Sequence, residues 1–114
     1  MDWNILNDIA QLDQIVEESN GQPIVIFKHS TRCSISGTAL GRVDRNWKDL
    51  SEVVKPYLLD LIAYRDISNE IADRFAIHHE SPQLLLINKG ECTYVESHLG
   101  IDVRDLKEEL ARMA

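Results

Sequence analysis

At 114 residues, with 44% hydrophobic and 27% charged, the chain has the size and balance of one globular domain, 1–114, around one core. Its net charge of −7 excludes the broad basic face that a nucleic-acid binder needs, and no apolar run reaches the length of a membrane helix. The polar, acidic start Met1-Asp2-Trp3-Asn4 lacks the pattern of a secretory signal, so the expected location is the cytoplasm.

Ile5, Ile9, Leu12 and Val16 fall on one helical stripe, stopped by Asn20-Gly21, with room for a short strand around Trp3. Pro23 introduces Ile24-Val25-Ile26-Phe27, a continuous β-branched run that predicts a strand covered on both faces. The polar loop Lys28-His29-Ser30-Thr31-Arg32-Cys33 follows. From Ser34 to about Leu50, Ile35, Ala39, Val43 and Trp47 recur every four residues and predict a core-facing helix. Gly37 and Gly41 weaken that helix by about 1 kcal/mol each relative to Ala, which predicts another backbone packed closely against them.

Pro56 closes this region, and residues 57–63 read as a second inner strand. Ile67, Ile71 and Phe75 mark a further helix, with Asp66 or Ser68 available as its cap. Pro82 precedes a third buried strand ending at Ile87. Asn88-Lys89-Gly90 supplies turn chemistry, and 91–97 alternates, completing a hairpin. Asp102 can cap the last helix, Ile101 can staple onto Leu106, and Val103, Leu106, Leu110 and Met113 form its inner face. Alternating helices and strands that end in a hairpin predict an α/β fold: a mixed central sheet flanked by helices, the thioredoxin-like arrangement.

In such a sheet chemistry gathers beyond the carboxyl ends of the strands, and Cys33 sits there, where strand turns into helix. The unpaired N–H groups of a helix start, the adjoining Arg32 and a nearby Lys28 would all favour the thiolate, the nucleophilic form. A free cysteine with pKa about 8.5 is only roughly 3% ionised at pH 7, and a fall of about two units, about 2.7 kcal/mol, would leave it mostly ionised. The competing reading, an inert buried thiol, finds no apolar periodicity for Cys33 to belong to.

Cys92 follows the predicted turn at the far end of the hairpin, roughly 20 Å from Cys33 by strand rise, beyond the reach of a disulfide. Two cysteines are too few for a disulfide scaffold. The adjacent His78 and His79 do not make metal-ligand spacing, so no metal site is expected. Ser36 stands three residues after Cys33, where a dithiol enzyme has its second cysteine. Its hydroxyl could donate to the Cys33 thiolate, or merely bond within the first helical turn; it cannot form a disulfide.

Two stretches carry a resemblance. Lys28-His29-Ser30-Thr31-Arg32-Cys33-Ser34-Ile35-Ser36 is similar to the Lys-His-Ser-x-x-Cys-Pro-Ile-Ser pattern of the YtxJ-like monothiol bacilliredoxins, a thioredoxin-fold family. His79-Glu80-Ser81-Pro82-Gln83 matches a second signature of that family, His-Glu-Ser-Pro-Gln. The resemblance spans nearly the whole chain. Ser34 departs from it, replacing a proline with a residue whose N–H can bond sulfur.

The resemblance implies a monothiol disulfide-exchange enzyme whose Cys33 takes bacillithiol, or a similar small thiol, from mixed disulfides on S-thiolated client proteins. The small thiol is then a co-substrate, and no resident cofactor is implied. Lys28, His29, Thr31, Arg32, Ser34, Ser36 and His79 would support the thiolate or substrate. Pro82 would follow a cis bond that exposes the Ser81 backbone to the client, although an ordinary strand entry explains Ser81-Pro82 equally on pattern. His78 reads as solvated. Two alternatives stand beside this reading: a non-enzymatic binding module or thiol redox sensor, and an iron–sulfur carrier, whose Cys-Gly-Phe-Ser type motif Cys33-Ser34-Ile35-Ser36 does not match.

Overall fold

The computed structural model describes residues 2–113. In chain order the elements are β1 (Asn4–Ile5), α1 (Gln11–Glu18), β2 (Ile24–His29), α2 (Ser34–Arg45), β3 (Lys55–Asp60), α3 (Arg65–Arg74), β4 (Gln83–Asn88), β5 (Glu91–Ser97) and α4 (Val103–Met113), with 3-10 turns at Lys48–Leu50 and His98–Gly100. The strands form one sheet in the order β1-β3-β2-β4-β5. β1, β3 and β2 run parallel, while β4 and β5 run antiparallel to their neighbours. This is the α/β, thioredoxin-like arrangement expected. Among the described residues no helix is long and apolar enough to cross a membrane.

The central strand explains the layers. Successive side chains of β2 point to opposite faces. Ile24 and Ile26 pack with Leu12, Ile15, Ile67 and Ile71 of α1 and α3. Val25 and Phe27 pack with Ala39, Val43, Val103 and Leu106 of α2 and α4. The same alternation sends Lys28 towards the α1/α3 layer and His29 towards the α2/α4 layer, a division that decides the site.

Several boundaries differ from the sequence reading. The stripe beginning at Ile5 is not one helix: Ile5 lies in β1, Ile9 precedes α1, and they are 55% and 44% exposed. The Gln11 side-chain oxygen accepts the N–H groups of Asn7 and Asp8, and Asp8 accepts that of Ala10, so side chains set where the helix begins. The short strand expected near Trp3 is β1. α2 stops at Arg45 because the Asn46 amide donates to the Arg42 carbonyl at 2.8 Å; Trp47 packs into the core from beyond the helix. Neither glycine of α2 meets a packed backbone, since a Cβ at Gly37 would face open space and one at Gly41 would meet only the Arg45 side chain.

Pro56 lies inside β3 rather than before it. Its register partner on β2 is Val25, and its carbonyl, on the β1 side, accepts the Asn4 side chain, so its missing N–H faces the short edge strand β1 and not the central β2. β3 ends at Asp60, whose carboxylate accepts the N–H groups of Ile62 and Ala63 and turns the chain. Neither Asp66 nor Ser68 caps α3: the N-cap position is Tyr64, and Ser68 is buried one turn in. In the hairpin both Lys89 and Gly90 have positive φ, 51° and 79°, the mirror-image turn that suits twisted strands. Asp102 caps α4 through the Arg104 N–H at 2.8 Å.

Candidate active site

Cys33 is the N-cap of α2. Its backbone is extended (φ −117°, ψ 121°), the residue is half-buried, and no side chain bonds the first turn as a cap. The thiol therefore lies where the first N–H groups of the helix have no intrahelical acceptor. The loop before it is held by Ser30. The Ser30 carbonyl accepts the Cys33 N–H at 3.3 Å, and its hydroxyl accepts the Arg32 N–H at 3.4 Å. Thr31, Arg32, Ser34 and Ile35 are all exposed around the sulfur. Among the described residues Arg32 makes no ion pair, and no hydrogen bond reaches Cys33 Sγ from Ser34 or any other group.

Ser36 corrects one expectation. It is fully buried, and its Oγ accepts the Ser30 N–H at 3.0 Å and lies 2.7 Å from His29 Nδ1. Its hydroxyl thus pins the loop to the end of β2 and does not bond the Cys33 sulfur. His29 is half-buried against Phe27, with ring centres 6.4 Å apart. Burial pushes its pKa below the usual histidine value, and the Asp60 carboxylate partly offsets this.

Lys28 corrects another. It is wholly buried, and its Nζ donates to the Ser68 carbonyl at 3.0 Å and to His79 Nδ1 at 3.2 Å. The ammonium is thus engaged on the α3 face of the sheet, opposite to His29 and α2, and is not the cation beside the thiol that the sequence suggested. Burial pushes its pKa down to about 8. His79 is likewise lowered, by burial first and then by the charges of Lys28, His78 and Arg65.

The second motif forms the loop into β4. Gln83, the antiparallel register partner of Lys28, donates from Nε2 to the His78 carbonyl at 2.9 Å. The Ser97 hydroxyl donates to Glu80, and the His98 N–H donates to the Pro82 carbonyl at 3.0 Å. The Ser81–Pro82 bond is cis, the form that the resemblance implies. Between these ties Ser81 stands apart: among the described residues no hydrogen bond engages its backbone, and its buried Oγ has no partner. Because β2 and β4 are paired, the loop to Cys33 and the loop carrying Ser81 leave the same end of the sheet side by side.

A sequence model of the monothiol bacilliredoxin family BrxC matches residues 4–106, nearly the whole chain. The chain belongs to the monothiol bacilliredoxin family. It is also similar to the solved structure of a candidate oxidoreductase with a thioredoxin fold, 30% identical, covering 91% of this chain and 89% of that one, with a TM-score of 0.81. Fasciola hepatica thioredoxin is 22% identical over 96% of this chain and 97% of its own, with a TM-score of 0.70. Mitochondrial thioredoxin 3 from Saccharomyces cerevisiae is 14% identical over 96% and 94%, with a TM-score of 0.75. The last two likenesses show the fold. Family membership and the oxidoreductase likeness together make thiol redox chemistry the function of this bacilliredoxin.

The second thiol of this bacilliredoxin lies elsewhere. Cys92 pairs with Ile87 beside the hairpin turn, whereas the site end of that hairpin is Gln83 opposite Ser97. Its Sγ donates to the Tyr94 carbonyl at 3.4 Å, and burial pushes its pKa up. Sequence reasoning did not find the roles of Ser30, Ser68 and Gln83. One signal was available: strand alternation places Lys28 on the face of Ile24 and Ile26, and a lysine sent inward must find polar partners.

Proposed function

We propose that this bacilliredoxin, acting in the cytoplasm, removes bacillithiol or a similar small thiol from S-thiolated client proteins by single-thiol exchange. The Cys33 thiolate attacks the sulfur of the small thiol in the mixed disulfide. The old S–S bond breaks, the client thiolate departs and takes up a proton, and a Cys33–small-thiol disulfide forms. A second small thiol attacks that disulfide, regenerates Cys33 and leaves as a small-molecule disulfide. No metal or resident cofactor takes part. The client lies as an extended segment along the Ser81 backbone, whose polar groups have no hydrogen-bond partner among the described residues.

One observation carries this reading. Cys33 is half-buried, not sealed in the core, at the start of α2, while the side chain at the resolving position, Ser36, is a buried hydroxyl tied to Ser30 and His29. With Cys92 at the other end of the hairpin, the adduct on Cys33 has no internal thiol to displace it and must be released from outside. The test is intact-mass analysis of Cys33→Ala beside Cys92→Ala after exposure to bacillithiol disulfide. Cys92→Ala should gain one bacillithiol and Cys33→Ala none; equal labelling of the two variants would defeat the assignment.

A further inference from the structure

Lys28 is the one wholly buried charged side chain among the described residues, and no carboxylate lies within ion-pair distance of it. An ammonium taken out of water without a counter-ion is strongly disfavoured, and an aliphatic side chain at this inward position of β2 would avoid that penalty. The amine makes two bonds to different parts of the fold. Ser68 O, 3.0 Å away, belongs to α3, and His79 Nδ1, 3.2 Å away, belongs to the loop that leads to Ser81. The His79 ring is otherwise exposed, with one further contact, to Ser68 Oγ at 3.4 Å.

We infer that Lys28 is a positioning residue: by holding His79 from beneath, it sets where the Ser81 backbone stands beside Cys33 and so governs the binding of polypeptide clients. The inference rests on the proposed function in so far as the client lies along Ser81. The loop is tied at His78 through Gln83, at His79 through Lys28, at Glu80 through Ser97 and at Pro82 through His98. Of these anchors only Lys28 comes from β2, the strand that leads directly into the Cys33 loop. It therefore links the two loops that a client disulfide must touch together. Lys28 does not reach the reacting sulfur, so the effect is on client binding, not on the thiol.

The test compares wild type with Lys28→Met, an unbranched side chain without a donor, and with His79→Ala. Two substrates are used: an S-bacillithiolated peptide and a small aromatic disulfide that makes no backbone pairing. Lys28→Met should raise KM for the peptide about tenfold with kcat little changed, the pattern of lost ground-state binding, and leave the rate with the aromatic disulfide within about twofold. His79→Ala should do the same, while His79→Asn, which keeps an acceptor near Nδ1, should recover most of the loss. Hydrogen exchange of the intact variants supplies a readout that needs no substrate: the His98 amide, which donates to the Pro82 carbonyl of the loop, should exchange about tenfold faster while 34–45 stay unchanged.

Equal losses on both substrates, or an unchanged loop with an unchanged KM, would overturn the inference. If wild type fails to turn over the peptide, the proposed function falls, and exchange alone still decides whether Lys28 holds the loop. If Lys28→Met does not fold, His79→Ala, altering only an exposed ring, decides both readouts.

Discussion

The Ser36 hydroxyl lies 2.7 Å from His29 Nδ1 and 3.0 Å from the Ser30 amide nitrogen, so the side chain three residues after Cys33 is bound to the strand beneath it. A single buried oxygen thus fixes the loop that carries the thiol and leaves that thiol without a partner of its own.

Two substitutions at this position should separate those roles. Ser36→Ala strands the buried Ser30 N–H and should lower stability by about 1–3 kcal/mol, read by urea denaturation, while Cys33 still accepts one small thiol. Ser36→Cys should change the chemistry. The introduced thiol is one helical turn from Cys33, within the separation that a disulfide tolerates. It should displace the small thiol from Cys33, giving a protein two hydrogens lighter in place of one carrying an adduct. A long-lived adduct in Ser36→Cys would show that the helix start does not allow that geometry.

The glycines predict opposite effects. A Cβ at Gly37 meets open space inside α2, so Gly37→Ala should stabilise the protein by about 0.5–1 kcal/mol. Gly90 has φ 79° in the hairpin turn, and Gly90→Ala should destabilise by about 1 kcal/mol or more. Denaturant midpoints of the two variants check both signs.

Lys28 should reveal itself at alkaline pH. Its folded pKa, about 8, is below the unfolded value of about 10.5, so between these values the unfolded chain holds the proton and the folded chain does not. Stability from this group is therefore complete above about 10.5 and lost as pH falls to 8. The groups facing the amine are the Ser68 carbonyl and His79, with Arg65 acting on His79, and among the described residues no carboxylate is paired with it. Relative to Lys28→Met, wild type should gain roughly 2–3 kcal/mol between pH 8 and 10.5, at about 1.4 kcal/mol per pKa unit. A flat difference across that range would mean that Lys28 stays protonated in the fold.

The sequence made the architecture readable because the strands and helices carry clean periodicities. Ile24 to Phe27, the β4 run and the Val103–Leu106 face each have one period and one environment. The misplaced boundaries share a cause, side-chain hydrogen bonds that periodicity does not register: Gln11 and Asp8 starting α1, Asn46 ending α2, Asp60 ending β3. The position of Cys33 was legible, since a strand-to-helix junction announces itself locally. The partners of Lys28 and Ser36 were not. Lys28 joins Ser68 and His79, 40 and 51 residues away in the chain, and which of two nearby sites a side chain serves depends on which face of the sheet it leaves.

The most direct measurement is a single-turnover reaction of Cys92→Ala with an S-bacillithiolated peptide, followed by intact mass and by assay of free peptide thiol. Transfer through Cys33 predicts that the protein gains one bacillithiol at the rate at which reduced peptide appears, one for one. Peptide captured on Cys33 with bacillithiol released, or peptide thiol freed with no adduct on the protein, would contradict it.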